Sequence, residues 1–505
     1  MKTSLISKSI FEIIKAHSGP CLFNEDDLEI KYEGLAKNIE MIGTQLSSLD
    51  MKNNNICALV LPNGIDMAVS FLALANFVTV SPLNPNYTKE EFLFFLQDLD
   101  CEFIIADNNA SNALLEAAKL LGIKLFYLDS NASKNELSIK SLPAASTCLL
   151  DQNKGDDFCL ILHTSGTTSR PKQVQLSCTN IISSALNIAN VLELKKADRG
   201  LNIMPLFHIH GLIASLLSSV VVGSSLVCTS GFNALNFYAN INAFKPTWIT
   251  AVPTMYQAIL SRASRNKEII KAVNLRLLRS SSAAMPVATI ESLEHVFQCP
   301  VIEAYGMTEA SHQMASNFLG SIRKPGSVGK PAGPEIALFK DNKFITSRNT
   351  VGEIVIKGSN VTKGYKNNKK ANEENFFDGW FKTGDLGKFD EEGFLFISGR
   401  IKEIINKGGE KISPKEVDEA LMKHKAVFQA VCFSVKHEKL GEDIAAAVVL
   451  KEGKTVDHKE LKTHLSKSLT TFKIPRQILI LDEIPKGNTG KIQRIGLAKK
   501  LGLEV

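Results

Sequence analysis

The chain has 505 residues, of which 44% are hydrophobic and 22% charged, with a net charge of +6. This composition excludes a disordered protein, and the length suits two or more domains. The surplus charge lies at one end, because residues 451–505 carry 12 basic and 6 acidic side chains and the rest is balanced. A balanced bulk without a basic stripe argues against a nucleic-acid-binding surface. The basic end fits a solvated face, a nucleic-acid tail or part of an anion site.

The first periodic segment alternates short apolar runs with helical patterns. Strands are predicted at 56–61, 78–82, 103–106 and 123–128, and helices at 67–77, 89–99 and 110–121. Three consecutive β-α units imply a doubly wound, mostly parallel sheet. Ligands of such sheets bind at the carboxyl ends of the strands.

A long uncharged segment follows at 211–244. Its apolar part, 212–228, has the length of a membrane span, but it contains five serines and lacks basic or aromatic anchors at its ends. We therefore predict a buried helix followed by a buried strand, and no membrane span. The N-terminus has no signal-peptide core. The nine cysteines form no CxxC pair, which favours reduced thiols in a cytoplasmic protein.

The pattern changes after Gly352 to strands and turns, with strands predicted at 352–356 and 393–397. From Arg400 onward a small, lysine-rich α+β domain is predicted. The fold expected is α/β: a large N-terminal domain (1–399) with doubly wound sheets and a β-rich subdomain, and a small C-terminal domain (400–505).

The first motif follows the apolar strand predicted at 158–162. Hydroxyl side chains, a glycine and two cations can wrap a polyphosphate with side-chain and backbone donors. The alternative is a mobile surface loop, and a Walker P-loop is excluded by its missing pattern. The residues concerned are Thr164, Ser165, Gly166, Thr167, Thr168 and Lys172.

Four further motifs lie downstream. Residues 303–309 combine a carboxylate, a threonine and an aromatic ring, which suit Mg²⁺, phosphate and base contacts. Asp385 ends the segment 379–385, and a carboxylate there can accept ribose hydroxyls. The others are 399–403 leading into 406–414, and the glycine-flanked lysine within 485–494.

In this order the five motifs resemble the adenylate-forming superfamily, which contains acyl-CoA synthetases, luciferases and peptide-synthetase adenylation domains. The resemblance implies ATP, Mg²⁺ and coenzyme A as ligands and a mobile C-terminal domain. It implies that Thr164–Lys172 is the phosphate loop, although Ser169 and Gln173 replace two of its usual glycines.

The resemblance also implies individual roles. Tyr305 would stack on adenine, Thr308 would contact the α-phosphate, and Glu309 would hold Mg²⁺. Asp385 and Arg400 would hold the ribose. The segment 279–284, with Ala283, would form the floor of the acyl pocket and part of the adenine wall, and Glu303 and Ala304 would also bind the nucleotide. The remaining implied roles are the domain hinge for Lys402, the CoA channel for Gly408 and Gly409, and the catalytic lysine bridging acid and α-phosphate for Lys491.

The acid pocket is expected to contain hydroxyls and imidazoles, which suits a small polar acid with a second carboxylate. Within the superfamily these segments resemble the oxalate–CoA ligase branch, which makes His208, Ser280, Ser282 and His312 the candidate acid-binding residues. His208 and His210 could also be satisfied core histidines, with His210 the weaker candidate.

The competing functions are a short- or medium-chain acyl-CoA synthetase and a non-catalytic nucleotide-binding paralogue. A peptide-synthetase adenylation domain and a luciferase-like enzyme are disfavoured. The expected partners are a carboxylic acid, ATP and CoA, with no nucleic acid, and the chain would be a monomer or homodimer.

Overall fold

The computed structural model describes residues 5–49, 51, 53–131, 136–140, 142, 151–164, 171–485 and 493–503. The predictions on Ser165, Gly166, Thr167, Thr168 and Lys491 lie outside the described residues. Every cysteine within the described residues is buried and unbridged.

Two mostly parallel sheets form the larger, N-terminal part. In the described residues the first has the order β7-β6-β5-β3-β4-β8-β9, and the second has β16-β15-β14-β13-β12-β10-β11-β1-β2. Antiparallel pairs occur only toward the edges. The strands are β1 (Pro20–Phe23), β2 (Glu29–Lys31), β3 (Ile56–Val60), β4 (Thr79–Pro82), β5 (Phe103–Ala106), β6 (Lys124–Asn131), β7 (Glu136–Ile139), β8 (Phe158–His163), β9 (Gln173–Ser177), β10 (Arg199–Asn202), β11 (Ser225–Cys228), β12 (Trp248–Ala251), β13 (Leu277–Ser280), β14 (Val301–Met307), β15 (His312–Ser316) and β16 (Lys330–Pro331).

Helices connect these strands, and their starts follow from capping side chains. Ser111 accepts a hydrogen bond from the Leu114 amide, so the helix predicted from residue 110 begins at Asn112 instead. The helices are Ile10–Lys15, Tyr32–Ser47, Ile65–Leu74, Lys89–Leu99, Asn112–Leu121, Cys178–Val191, Ser218–Val220, Phe237–Phe244, Pro253–Ala263, Lys267–Ala272 and Val287–Phe297, together with a π-helix, His210–Leu217, and a 3₁₀ turn, Thr308–Ala310.

Strand β4 ends at Pro82, as the sequence predicted. Pro82 pairs with Leu59 in the parallel register, and the next amide, from Leu83, donates to the Leu59 carbonyl at 2.9 Å. Proline lacks an amide donor, and Leu83 supplies the missing hydrogen bond.

An antiparallel sheet follows, with the order β18-β17-β19-β21-β20 and β22 paired to β21. Its strands are β17 (Glu335–Lys340), β18 (Lys343–Ile345), β19 (Gly352–Lys357), β20 (Phe376–Phe377), β21 (Trp380–Phe389) and β22 (Leu395–Arg400), and the helix Lys369–Asn375 precedes β20.

A small α+β unit ends the chain, with the sheet order β24-β23-β26-β25 and β27 paired to β26. It contacts the preceding sheet, because Ser413 Oγ and Lys415 Nζ donate to the β22 carbonyls of Ser398 and Ile397, each at 2.6 Å. The elements are β23 (Ile405–Lys407), β24 (Glu410–Ile412), β25 (Val427–His437), β26 (Gly441–Leu450) and β27 (Gln477–Ile480), the helices Pro414–Met422, His458–Ser466 and Leu497–Lys500, and 3₁₀ turns at Ile401–Glu403 and Thr471–Lys473.

The uncharged segment folds as a helix followed by a strand. The π-helix and the short α-helix after it are buried, and β11 lies inside the second sheet. Across the described part of the chain, no helix combines the length and apolar character needed to cross a membrane.

Candidate active site

A sharp hairpin between β14 and β15 carries several predicted nucleotide contacts. Gly306 pairs with Gln313, and a Cβ added at Gly306 would lie 1.4 Å from the His312 carbonyl oxygen. Only glycine permits this close approach of the two strands. The turn therefore places Tyr305 and Thr308 on the same hairpin as His312.

A buried carboxylate lies beside the Tyr305 ring. Asp385 is 3% exposed, accepts a hydrogen bond from the Tyr305 hydroxyl, and accepts another from Arg400 Nε at 2.9 Å. Asp385 and Arg400 are cross-strand partners of β21 and β22, so sheet register fixes this pair. Burial and the Asp385 charge raise the pKa of Tyr305, which keeps its hydroxyl a donor. The structure thus brings together the three residues predicted to hold the nucleoside.

Glu309 lies in the 3₁₀ turn after β14 and is 7% exposed. Its Oε1 accepts a hydrogen bond from the Tyr365 hydroxyl at 2.8 Å, and Lys172 Nζ lies 4.4 Å from the centroid of the Tyr365 ring. Burial raises the pKa of Glu309, an effect opposed by the Tyr365 hydrogen bond and the Lys172 charge. Burial also lowers the pKa of Lys172, as does the positive charge of Lys402. Tyr365 therefore links a predicted phosphate-binding cation to a predicted metal ligand.

The described ends of the predicted phosphate loop close a β8–β9 hairpin. The Thr164 amide donates to the Lys172 carbonyl at 2.9 Å, and the Lys172 amide donates to Thr164 Oγ1 at 3.2 Å. Both ends of the loop are thus held together beside Tyr365.

Three other predicted nucleotide-binding residues, Glu303, Ala304 and Ala283, lie in different environments. Glu303 accepts a hydrogen bond from the Gly326 amide at 3.1 Å, and burial raises its pKa to about 7. The Ala304 carbonyl accepts from Ser281 Oγ at 2.9 Å, and Ala283 is exposed. Of these three residues, only Ala283 is exposed to solvent.

Ser282 is hydrogen-bonded into the predicted acid pocket. It follows the end of β13, has φ 72°, and its Oγ lies 3.1 Å from His210 Nδ1. His210 Nε2 lies 2.6 Å from Thr250 Oγ1, and the His210 and His312 ring centroids are 4.8 Å apart. Ser282 thus contacts His210 directly and is linked to His312 through the His210 ring.

The other two predicted acid-pocket residues, His208 and Ser280, have contacts outside the Ser282–His210–His312 cluster. His208 is half-buried, and its ring packs on Phe207 with a centroid distance of 4.6 Å. Ser280 is buried, and its hydroxyl has no hydrogen-bond partner among the described residues. His210, the weaker candidate from the sequence, is the histidine bonded to Ser282.

The predicted hinge and channel residues lie on the C-terminal unit. Lys402 is exposed in the 3₁₀ turn Ile401–Glu403, directly before β23. Gly408 and Gly409 form the tight turn between β23 and β24, with φ of 61° and 97°. Arg494, three positions after Lys491 in the sequence, donates to Glu403 Oε2 at 3.0 Å.

Sequence reasoning assigned no role to Thr250 or Tyr365, and it placed Arg279 only within the segment 279–284, expected to form the floor of the acid pocket and part of the adenine wall. The individual signal for Arg279 is that a charged residue follows two leucines inside the short strand β13. No sequence pattern marked Thr250 or Tyr365, because their contacts in the site are with residues distant in sequence.

Family models match the two parts of the chain. The AMP-binding enzyme model covers residues 16–366, and the AMP-binding enzyme C-terminal domain model covers residues 416–491. The chain belongs to the AMP-binding enzyme family.

This AMP-binding enzyme is 43% identical over 467 residues to the oxalate–CoA ligase of Arabidopsis thaliana, with 90% of each chain covered. It is 38% identical over 509 residues to the oxalate–CoA ligase of Saccharomyces cerevisiae, with 94% of this chain and 93% of the yeast protein covered. Its fold matches ATP-bound MatB from Rhodopseudomonas palustris with a TM-score of 0.89 and 26% identity, over 97% of this chain and 98% of that one.

These similarities confirm the predicted superfamily and fold class, a large α/β N-terminal part followed by a small C-terminal unit. They also confirm the prediction that this AMP-binding enzyme is an AMP-forming acid–CoA ligase.

Proposed function

We propose that this acid–CoA ligase takes oxalate as its acid. In the first half-reaction an oxalate oxygen attacks the α-phosphorus of ATP, and pyrophosphate leaves. In the second, the coenzyme A thiolate attacks the activated carbonyl, and AMP leaves. The observation that carries the proposal is the polar cluster in which Ser282 contacts His210 and His210 contacts His312, because polar groups in an acid site penalise an apolar acid chain.

Binding of the nucleoside rests on the pair of Asp385 and Arg400. The Asp385 carboxylate is ordered by Tyr305 and Arg400, so its oxygens are preset to accept ribose hydroxyls. The Tyr305 ring beside it offers a stacking surface for adenine. Thr164, Lys172 and the hydroxyl loop 165–168 hold the phosphates, with Thr308 on the α-phosphate.

A magnesium ion fits at Glu309. No group of three or more potential metal-ligating side chains occurs in the part of the chain that is described, so a lone carboxylate must share the ion with other donors. Mg²⁺ is typically bound by one or two carboxylates together with substrate phosphates. When bound, the ion would neutralise phosphate charge, and Tyr365 would hold the Glu309 carboxylate in place.

Adenylation also requires a cation between two anions. Lys491 bridges the acid carboxylate and the α-phosphate, which lowers their repulsion and holds them in line. After pyrophosphate leaves, rotation at Lys402 withdraws Lys491 and presents Gly408 and Gly409 to the pantetheine arm. Two glycines leave a narrow passage along the backbone at that turn.

Recognition of the second carboxylate falls to Ser282, His312 and His208. Ser282 and His312 both belong to the polar network, which supports their roles. Ser280 is a lesser contributor, because its hydroxyl is buried at the end of β13 without a link to that network.

A panel of acids tests the substrate. CoA-dependent pyrophosphate release should have a kcat/KM for oxalate at least about 100-fold above that for butyrate or octanoate, since an unfilled polar site rejects apolar groups. Equal or higher kcat/KM for butyrate or octanoate would establish the apolar-acid alternative. ATP binding without pyrophosphate release from any acid would establish the non-catalytic paralogue.

We also propose a cytoplasmic location and a monomer or homodimer, with no nucleic-acid partner. The reduced state of the buried cysteines is consistent with that compartment. Fractionation of the native cells and light scattering of the purified enzyme test the two proposals.

A further inference from the structure

Arg279 is a fully buried arginine at the centre of the second sheet. It lies on β13 between Thr250 of β12 and Ile302 of β14 and has no exposed surface. Side chains alternate along a strand, so Arg279 projects from the same face as Leu277, a core residue. A guanidinium therefore stands where the strand pattern calls for an apolar side chain.

The surroundings of this guanidinium contain no countercharge. No acidic side chain among the described residues lies within ion-pairing distance, and Arg279 Nε has no hydrogen-bond partner in that same set. Its contacts are neutral: NH1 donates to Thr250 Oγ1 at 3.2 Å, and NH2 donates to His312 Nδ1 at 3.4 Å and Gln313 Oε1 at 3.3 Å.

A buried, unpaired cation destabilises a protein, and removal of such groups is often neutral or stabilising. Burial lowers the pKa of Arg279 to about 9, so it still carries its proton at neutral pH. Tyr256 donates its hydroxyl to the Arg279 carbonyl, and burial raises the pKa of Tyr256, so it is itself protonated and supplies no countercharge. The described residues therefore supply no anion to neutralise the Arg279 charge, and an anionic substrate can do so.

The contacts of Arg279 also fix the direction of hydrogen bonds toward the acid. Arginine can only donate, so His312 Nδ1 accepts and the ring proton lies on Nε2. Thr250 Oγ1 accepts from Arg279, and in the tautomer compatible with the Ser282 contact its own proton goes to His210 Nε2. In that tautomer His210 Nδ1 donates to Ser282 Oγ, which leaves the Ser282 proton available for the acid.

We propose that Arg279 is the positioning residue that makes this pocket select a dicarboxylate dianion, by turning Ser282 and His312 into donors and by placing a fixed positive charge beneath the second carboxylate. The inference rests on the proposed oxalate activity and deepens it. Arg279 does not touch the acid and acts through Thr250, His210 and His312.

Oxalate and oxamate separate charge from shape, because oxamate replaces the second carboxylate by a neutral amide of nearly equal size. In Arg279→Met, kcat/KM for oxalate should fall about 100-fold, mainly through KM, as expected when one partner of a buried charge interaction is removed. In the same variant, kcat/KM for oxamate should change by less than about 5-fold and the KM for ATP by less than about 2-fold, since neither depends on the second negative charge of the acid. Arg279→Lys keeps the charge without the planar fork and should give an intermediate value for oxalate.

Arg276→Met is a matched control from the same chain segment. Arg276 is paired with Asp198 at 2.9 Å, outside the acid pocket, so this variant should keep the wild-type oxalate-to-oxamate ratio. Thermal unfolding should show Arg279→Met at least as stable as wild type, and Arg279→Gln provides a polar second variant.

The outcomes separate the two proposals. A wild-type enzyme inactive on oxalate would overturn the proposed function itself. An active wild-type enzyme in which Arg279→Met and Arg279→Gln lower oxalate and oxamate activity equally would overturn the role of Arg279 alone. Equal oxalate loss in Arg279→Lys and Arg279→Met would overturn the fixed-charge role.

Discussion

The Tyr365 hydroxyl donates to Glu309 Oε1 at 2.8 Å, while the same tyrosine ring lies 4.4 Å from Lys172 Nζ. One side chain therefore contacts both the predicted metal ligand and the predicted phosphate-binding cation. Removing the hydroxyl leaves the ring in place for Lys172 and frees Glu309 from its anchor.

Tyr365→Phe should raise the Mg²⁺ concentration for half-maximal pyrophosphate release by about 10-fold, since partners of metal ligands contribute that much to affinity. Tyr238→Phe is the control, because the Tyr238 hydroxyl donates to the Ile259 carbonyl in a separate core. An unchanged Mg²⁺ titration in Tyr365→Phe would contradict the assigned link.

Asp385→Asn should weaken AMP binding about 10-fold or more, because the Arg400 ion pair is lost and an amide accepts less strongly than a carboxylate. Calorimetry with AMP measures this directly, and the KM for ATP should rise in parallel. Asp378→Asn changes an exposed aspartate of the same sheet region and should bind AMP normally. Equal affinities in the two variants would remove Asp385 from the nucleoside site.

Lys491→Ala should slow acid-dependent adenylate formation about 1,000-fold, the loss expected for one cation preorganised at developing charge. Thioester formation from a supplied acyl-adenylate should stay near the wild-type rate, because Lys491 acts only in the first half-reaction. Lys499→Ala, an exposed lysine of the last helix, is the matched control. Similar losses in both half-reactions would contradict the division of labour.

His312→Ala should reduce kcat/KM for oxalate at least about 30-fold more than that for oxamate, since it removes a donor beside the second carboxylate. The ratio of the two kcat/KM values is the measurement, with identical enzyme preparations. Equal losses would identify His312 as a structural histidine.

Glu303→Gln should change the pH dependence of stability. Burial raises the Glu303 pKa in the folded enzyme to about 7, against 4.5 for an unperturbed glutamate. The protonated form is favoured by folding, so this contribution is fully present below pH 4.5 and is lost as the pH rises through 7.

At pH 8 the ionised Glu303 should cost the wild type about 3 kcal/mol relative to acid pH, a penalty that the variant lacks. Urea unfolding at pH 5 and pH 8 measures the difference, and Glu291→Gln, an exposed change, should show no pH-dependent effect. A variant that tracks the wild type at both pH values would show that Glu303 ionises freely.

The sequence predicted the secondary-structure elements that have a clear local periodicity and the site residues that belong to compact motifs. Strand and helix periodicity placed β3, β5 and the helix Lys89–Leu99 at nearly their observed bounds. The pairing of Asp385 with Arg400 was also accessible, because each residue ends a recognisable segment and sheet register joins them.

The acid pocket was less predictable, because its contacts join residues from four separate segments. The sequence favoured His208 over His210 as an acid-binding residue, and the structure joins Ser282 to His210. Thr250 is an ordinary strand residue until β12 brings it beside Arg279. Such choices depend on packing between strands, which local patterns do not specify.

The π-helix His210–Leu217 has a further consequence for comparing relatives. A hydrogen-bond ladder of i→i+5 type contains an additional residue per turn compared with an α-helix, and such turns cluster at functional sites. A relative with a regular α-helix there would be one residue shorter while preserving the buried surface after Leu217. Counting residues back from that surface would then be displaced by one position at His210, so substrate-selecting positions of this segment are to be matched by spatial superposition.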